Sequence, residues 1–415
     1  MSSYIIEGGK RLEGETYVSG SKNASLPIMA ASILSGKITK LYNVPDIYDI
    51  KFTSDILKVL GCTVKRSGNK ITINSKQIKT HEIPDKLMRE MRSSVILAGA
   101  IIGRFKNAVF SYPGGCDIGS RPIDLHLEGF KKLGINIEEE SGFIKCTADR
   151  IIGAEIHLDF PSVGATENLM LASVLAEGET IIKNAAREPE IQDLQEMLNK
   201  MGAEIEGAGT GVVKIRGVKS LKDVSYNIMP DRIETGTFLC IAAMTGGSLK
   251  LKNADATHIT PVINKLEESG CKIETYKNTI QIEGPKKLKA VDIKTMPYPG
   301  FPTDMQSIFA TTMTVAKGTS VIVENIFENR YKYTQELVRM GAKIKVEGKT
   351  AVIKGVRKLY GANVKATDLR GGASVVMAGI AAKGITKVEN IEYILRGYEK
   401  FDKKLQNIGV DILKR

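Results

Sequence analysis

The residues best suited to chemistry lie in one stretch, Ser111-Tyr-Pro-Gly-Gly-Cys-Asp-Ile-Gly-Ser-Arg-Pro-Ile-Asp-Leu-His126. Three glycines and two prolines in sixteen residues exclude a long regular element. The stretch holds one cysteine, Cys116, followed five residues later by Arg121. An unperturbed thiol titrates near ~8.5. Beside a guanidinium it can serve near neutral pH as a proton donor or a thiolate. A surface turn with a free cysteine is the bland alternative. The rest of the chain has to choose between them.

Other charged residues cluster at expected helix starts. Lys22-Asn23 precedes the first apolar stretch, Arg92 opens the second and Ser162-Val163-Gly164 enters the third. Asp231 to Glu234 enters the fourth, Pro302-Thr-Asp304 the fifth and Asp368-Leu-Arg370 the sixth. Helix N-termini present free N–H groups and the positive end of the dipole, which favours phosphate or carboxylate. Lys22, Arg121, Arg330, Arg370 and Arg396 are therefore candidates to converge on one anion. Each also has a plainer reading: Asp304 as an N-cap, Arg330 as an ion-pair partner of Glu328, and the isolated cations as solvated charges.

The elements that must position these residues recur six times. A helix ending in glycine and leading into a hairpin is repeated at Gly61, Gly134, Gly202, Gly270, Gly341 and Gly409, at intervals of 73, 68, 68, 71 and 68. Glycine is the natural residue just past a helix C-terminus, where a positive φ is required. Apolar helices are expected over 23–34, 92–102, 165–175, 234–244, 304–315 and 372–381, buried on all sides rather than on one face. The next strand ends in asparagine at Asn43, Asn184, Asn253, Asn325 and Asn390. The second unit breaks this habit and runs into the Cys116 stretch instead. The last unit stops after one hairpin strand, and the N-terminus has the pattern of the missing one. The expectation is an α/β fold of two domains with three units each, one over 22–229 and the other over 1–21 plus 230–415. Two chain crossings would join them as a hinge.

Composition narrows the function classes. The net charge of +12 suits an anionic partner. Yet tryptophan is absent, aromatics make up 6%, and no basic block or basic–aromatic interleaving occurs, which argues against nucleic acid. No apolar run approaches a membrane span. Five cysteines without metal-ligand spacing and four scattered histidines predict a reduced, cytoplasmic protein with no metal site. Gly207-Ala-Gly-Thr-Gly211 and Gly348-Lys-Thr350 resemble nucleotide loops but fall in expected hairpins, so neither is assigned a site.

Taken together the motifs resemble the enolpyruvyl transferase family. They are Ser21-Lys-Asn-Ala24, Met91-Arg-Ser-Ser94, Pro113 to His126, Pro161-Ser-Val-Gly-Ala-Thr166 and Ala186-Arg-Glu-Pro-Glu-Ile191. Further along come Pro230 to Phe238, Pro302-Thr-Asp-Met-Gln306, Phe327-Glu-Asn-Arg330, Ala366-Thr-Asp-Leu-Arg370 and Arg396-Gly-Tyr-Glu399. They span the chain in order, and the cysteine stretch is similar to the branch acting on a UDP-sugar rather than on shikimate phosphate. The resemblance implies two inside-out, barrel-like α/β domains that close on the substrates. It implies transfer of the enolpyruvyl group of phosphoenolpyruvate to the 3-hydroxyl of UDP-N-acetylglucosamine, with no cofactor and no metal.

The same resemblance distributes the roles. Cys116 would protonate C3 of phosphoenolpyruvate, carry its covalent adduct and be the target of the epoxide fosfomycin. Lys22, Asn23, Arg121, Arg330, Arg370 and Arg396 would hold phosphoenolpyruvate. Asp304 would take the sugar hydroxyl proton, with Ile326 contacting the sugar through its backbone. Arg92, Arg121, Pro122, Ile123, Asp124, Leu125, Ser162, Val163 and Gly164 would hold the uridine diphosphate. Two departures stand beside these residues: Leu395, where relatives often have aspartate, and Gly371-Gly372 in place of a more usual alanine or serine. A shikimate-like acceptor is the runner-up, and an RNA-binding or RNA-end-processing protein is the alternative from another class.

Overall fold

The computed structural model describes residues 2–114 and 123–415. The chain divides into two compact units, one of residues 2–19 with 230–415, the other of 20–114 with 123–229. It passes between them at 19/20 and at 229/230. Each unit has its own apolar core.

The six expected apolar helices form the cores. They are Lys22–Ala31, Ile96–Phe105, Val163–Ser173, Arg232–Thr245, Gln306–Met313 and Leu369–Ala381. In the helix Arg232–Thr245 every residue from Arg232 to Met244 is buried, polar ones included. Such helices show no single apolar stripe because all their sides are covered. The second and fifth differ from expectation at their starts. Arg92–Val95 and Thr303–Met305 are 3-10 turns that tighten the entry to the helix.

Five of the sheets share one strand order, a parallel lead strand followed by an antiparallel hairpin. In the fifth unit the lead strand Ile293–Lys294 pairs with Thr319–Val323, which pairs with Thr350–Lys354 and then Lys343–Glu347. The sixth sheet recruits the N-terminus: Ser3–Gly8 lies antiparallel between Gly384–Glu389 and Asp411–Lys414. The second sheet has three described strands, and its lead is reduced to the bridge Glu82↔Val109. With the helices buried and the sheets alternating between buried and exposed residues, each unit is inside-out. Among the described residues no sheet closes into a barrel.

The punctuation read from the sequence has a backbone cause. All six repeat glycines have positive φ, from 81° to 108°. At Gly61 an added Cβ would also meet the Gln77 carbonyl oxygen at 2.6 Å. Asn43, Asn184, Asn253 and Asn390 are left-handed, with φ between 53° and 59°, a region asparagine tolerates better than most residues. The first three donate Nδ2–H to a backbone carbonyl, of Ile228, Leu158 and Val18 respectively. Asn325 differs. It is outside the positive-φ group, although its Nδ2 reaches the Thr295 carbonyl at 3.0 Å. In register, Glu324 stands where the other units place their asparagine, and Asn325 comes one residue late.

Candidate functional site

In the unit of residues 2–19 and 230–415, the centre is Asp304. It lies in the 3-10 turn Thr303–Met305, whose N-cap, Pro302, makes no side-chain cap bond. Asp304 itself does not cap. Its Oδ1 accepts from Arg330 Nη2 at 2.6 Å, and its Oδ2 from Arg370 Nη2 at 3.1 Å. Both guanidiniums are 4% exposed while the carboxylate is 27% exposed, so the aspartate is the reachable member of the trio. Arg330 thus pairs with Asp304 and not with the neighbouring Glu328, the plainer of its two sequence readings. Its guanidinium also lies 5.3 Å from the Phe327 ring centroid.

The helix Leu369–Ala381 fixes Arg370. Asp368 caps that helix by accepting from the N–H groups of Arg370 and Gly371. Burial works against the Arg370 charge, but Asp304 and then Tyr398 oppose it, so its pKa is raised. Tyr398 lies with its ring centroid 5.3 Å from that guanidinium, its hydroxyl bonded to Thr237 Oγ1 at 2.8 Å. The Gly371-Gly372 departure has a packing reason. A Cβ on Gly371 would meet Asp368 Oδ2 at 2.5 Å, and one on Gly372 would meet Ile394 at 2.8 Å. Close approach brings the helix start against the short helix Glu392–Leu395, after which Arg396 sits half-buried. Leu395 is buried against this packing, 9% exposed.

In the unit of residues 20–114 and 123–229, Lys22 opens the first core helix behind the N-cap Ser21. Its Nζ is 2.8 Å from Oδ2 of the buried Asp49. Asn23 follows it, half-buried. Arg92 begins the 3-10 turn, Asp124 and Leu125 begin the helix Asp124–Lys132 with Ile123 as its buried N-cap, and Val163 and Gly164 begin the third core helix behind N-cap Ser162.

A neutral pair stitches these three segments together. Asn168 Oδ1 accepts from Gly99 N–H at 2.7 Å, which fixes the amide orientation. Asn168 Nδ2 then donates to the Val95 carbonyl at 2.9 Å and lies 2.7 Å from His126 Nδ1. With Nδ1 as acceptor, the imidazole proton belongs on Nε2. Burial, with Arg92 as a lesser cause, pushes the His126 pKa down to about 3, so the ring stays neutral. His126 also lies beside Gly164, where an added Cβ would come within 3.3 Å of its Cε1. In the same unit Glu167 is driven well above the carboxylate range, first by burial and then by Glu190 and Glu188.

Sequence reasoning named Arg330, Arg370 and Asp304 separately, and the structure brings them together. Within the other unit it brings the Arg92, Ile123–Leu125 and Ser162–Gly164 segments together through His126 and Asn168. Cys116, Arg121 and Pro122 lie outside the described residues. Asp49, Asn168, Tyr398 and Glu324 were missed. Each is a buried polar residue, and burial has no signature in one sequence. Only Glu324 left a trace, as the residue displacing Asn325 from the repeat.

With this geometry in view, the comparisons are specific. The family model described as EPSP synthase (3-phosphoshikimate 1-carboxyvinyltransferase) matches residues 6–405. The chain belongs to that enolpyruvyl transferase family. It is 55% identical over 415 residues, covering 100% of both chains, to UDP-N-acetylglucosamine 1-carboxyvinyltransferase 2 of Caldanaerobacter subterraneus subsp. tengcongensis. It is 49% identical over 414 residues, 99% of each chain, to the like-named protein of Carboxydothermus hydrogenoformans. Among solved structures, the enolpyruvyl transferase NikO from Streptomyces tendae matches with TM-score 0.90 at 24% identity, over 100% of this chain and 98% of that one. EPSP synthase from Acinetobacter baumannii matches with TM-score 0.79 at 19% identity, over 100% and 99%. These two structures establish the fold.

Proposed function

We propose that the chain transfers the enolpyruvyl group of phosphoenolpyruvate to the 3-hydroxyl of UDP-N-acetylglucosamine, releasing phosphate, as a UDP-N-acetylglucosamine 1-carboxyvinyltransferase. The reaction would be the first committed step toward the peptidoglycan precursor, in the cytoplasm. The observation carrying this reading is the full-length similarity to relatives of that name. The geometry of Asp304 between Arg330 and Arg370 supports it. None of the helices among the described residues is long and apolar enough to cross a membrane.

Addition across the enol phosphate needs one group to protonate C3 and another to take the hydroxyl proton as oxygen attacks C2. In this reading Cys116 supplies the first proton and Asp304 takes the second. Elimination then returns a C3 proton to the Cys116 thiolate as the bond from C2 to the phosphate oxygen breaks and phosphate leaves. Lys22, Asn23, Arg121, Arg330, Arg370 and Arg396 hold the carboxylate and phosphate of phosphoenolpyruvate, where clustered cations stabilise the developing charge. Asp304 pairs with both Arg330 and Arg370. An incoming phosphate competes for those guanidiniums and leaves the carboxylate to the sugar hydroxyl. Arg92, Arg121, Pro122, Ile123, Asp124, Leu125 and the start of the third core helix, Ser162 to Gly164, take the uridine diphosphate. The Ile326 backbone takes the sugar.

Phosphate release from phosphoenolpyruvate tests the proposal. Release that requires UDP-N-acetylglucosamine is expected. Release supported by shikimate 3-phosphate instead assigns the other branch of the family. Salt-sensitive RNA binding with no release would reject an enzymatic role.

A further inference from the structure

Glu324 is 1% exposed, yet both of its carboxylate oxygens accept from uncharged groups around the candidate site. Oε1 accepts from Ile326 N–H at 2.8 Å, Phe327 N–H at 3.2 Å and Thr295 Oγ1 at 2.9 Å. Oε2 accepts from Thr303 Oγ1 at 3.0 Å. Thr295 Oγ1 in turn accepts from Asn325 N–H at 2.9 Å. One side chain therefore ties the end of the lead strand, the turn bearing Asp304 and the backbone of Ile326 and Phe327. Burying a carboxylate is costly unless such donors surround it, so a purely structural position would favour a smaller neutral residue.

The repeat supplies that comparison. Asn43, Asn184 and Asn253 occupy the equivalent place in three other units and take a left-handed backbone. They bond to a single carbonyl each through the side chain. The fifth unit, the one carrying Asp304, passes the carbonyl bond to Asn325 and places at the equivalent position a buried acid that collects four donors.

We infer that Glu324 is the positioning residue for the acceptor sugar, holding the Ile326 backbone and the Thr303–Asp304 turn in one arrangement. The inference rests on the proposed roles of Asp304 and Ile326. It concerns hydrogen-bond geometry, not charge. The carbonyl oxygen of a glutamine can take the two backbone N–H groups while its amide donates to the Thr303 hydroxyl.

Steady-state kinetics of the full chain, with each substrate varied, test it. Glu324→Ala is expected to raise KM for UDP-N-acetylglucosamine and to lower kcat, each about tenfold, while KM for phosphoenolpyruvate changes less than about threefold. Glu324→Gln should stay within about threefold of the parent in every constant. Equal shifts in both KM values, or a Glu324→Gln protein as impaired as Glu324→Ala, would overturn the inference. If Glu324→Ala does not fold, Thr303→Val removes the bond beside Asp304 alone. That variant should raise the sugar KM by about two- to fivefold, and unchanged kinetics would count against the role. Asp304→Ala run in parallel separates the two levels. Normal turnover by Asp304→Ala sinks the site reading and the inference with it. A dead Asp304→Ala beside a normal Glu324→Ala sinks the positioning role alone.

Discussion

In one unit of the molecule Asp304 is gripped by two buried guanidiniums, while in the other His126 and Asn168 order three segments without any net charge. The contrast follows what each is proposed to recognise. Phosphoenolpyruvate is small and highly charged, and full charges in a desolvated setting act strongly on it. A uridine diphosphate is held over a longer span, where backbone N–H groups and helix starts act beside Arg92 and Arg121. In the second case the side chains beneath need only fix the backbone, and a neutral pair does so without the desolvation cost of an ion pair.

Breaking the charged cluster should have the largest effect. Asp304→Asn keeps the size and removes the carboxylate that both arginines meet. We expect kcat to fall by about 10³-fold, the range for losing a positioned proton acceptor. Stability should fall too, by about 2 kcal/mol, less than for a fully buried pair because the carboxylate is partly exposed. A kcat within tenfold of the parent would remove Asp304 from proton transfer. Arg370→Lys comes next. It keeps the charge but loses the planar fork that meets Asp304. Its kcat/KM for phosphoenolpyruvate should drop by about 10- to 100-fold, with UDP-sugar affinity from calorimetry changing less than about threefold. Equal losses for both ligands would mean that the cluster is not dedicated to the small anion.

The neutral pair is tested through pH. His126 has a folded pKa of about 3, below its unfolded value near ~6.5. The unfolded chain therefore binds more protons between those values. The neutral ring contributes stability above pH ~6.5, and that contribution is lost as pH falls toward 3, at up to about 1.4 kcal/mol per pH unit. Glu167 acts in the opposite sense, because its raised folded pKa favours the fold toward acid. His126→Gln can still accept from Asn168 but cannot titrate. Its unfolding midpoint should therefore depend less on pH between about 6 and 4 than that of the parent, with UDP-sugar KM raised about fivefold. Parallel pH profiles for the two proteins would show that the imidazole is not held neutral.

How much of this was legible beforehand differs between the same two regions. The six helices, the glycine-terminated repeats and the recruitment of Ser3–Gly8 by the last sheet could be read because they rest on local rules, a positive φ or an apolar run. Asp304 and Arg370 could be named because charged residues at expected helix starts stand out in a sequence, and Arg330 because it closes the Phe327-Glu-Asn-Arg330 motif. Their pairing could not, because it joins residues 26 and 66 positions apart. The neutral pair was harder still. Asn168 lies inside a helix among apolar residues, and nothing in its neighbours distinguishes a buried amide that organises three segments from one that fills space.

The smallest expected effect compares a regular unit with the exceptional one. Asn184 is left-handed, φ 53°, and donates to the Leu158 carbonyl at 2.7 Å. Asn184→Gly loses that bond but not the backbone conformation, at a cost of about 1 kcal/mol. Asn184→Ala adds the left-handed penalty and should cost about 2 kcal/mol. At Asn325 the order should reverse. Its backbone is outside the left-handed region, so alanine has no φ penalty there, whereas glycine adds conformational entropy to the unfolded chain. Asn325→Ala should therefore be the more stable of its pair by a few tenths of a kcal/mol, about 0.5. Thermal unfolding of the four variants measures both differences. Glycine outperforming alanine at both positions would mean that the fifth unit keeps the ordinary asparagine turn, and Glu324 would lose its claim to have replaced it.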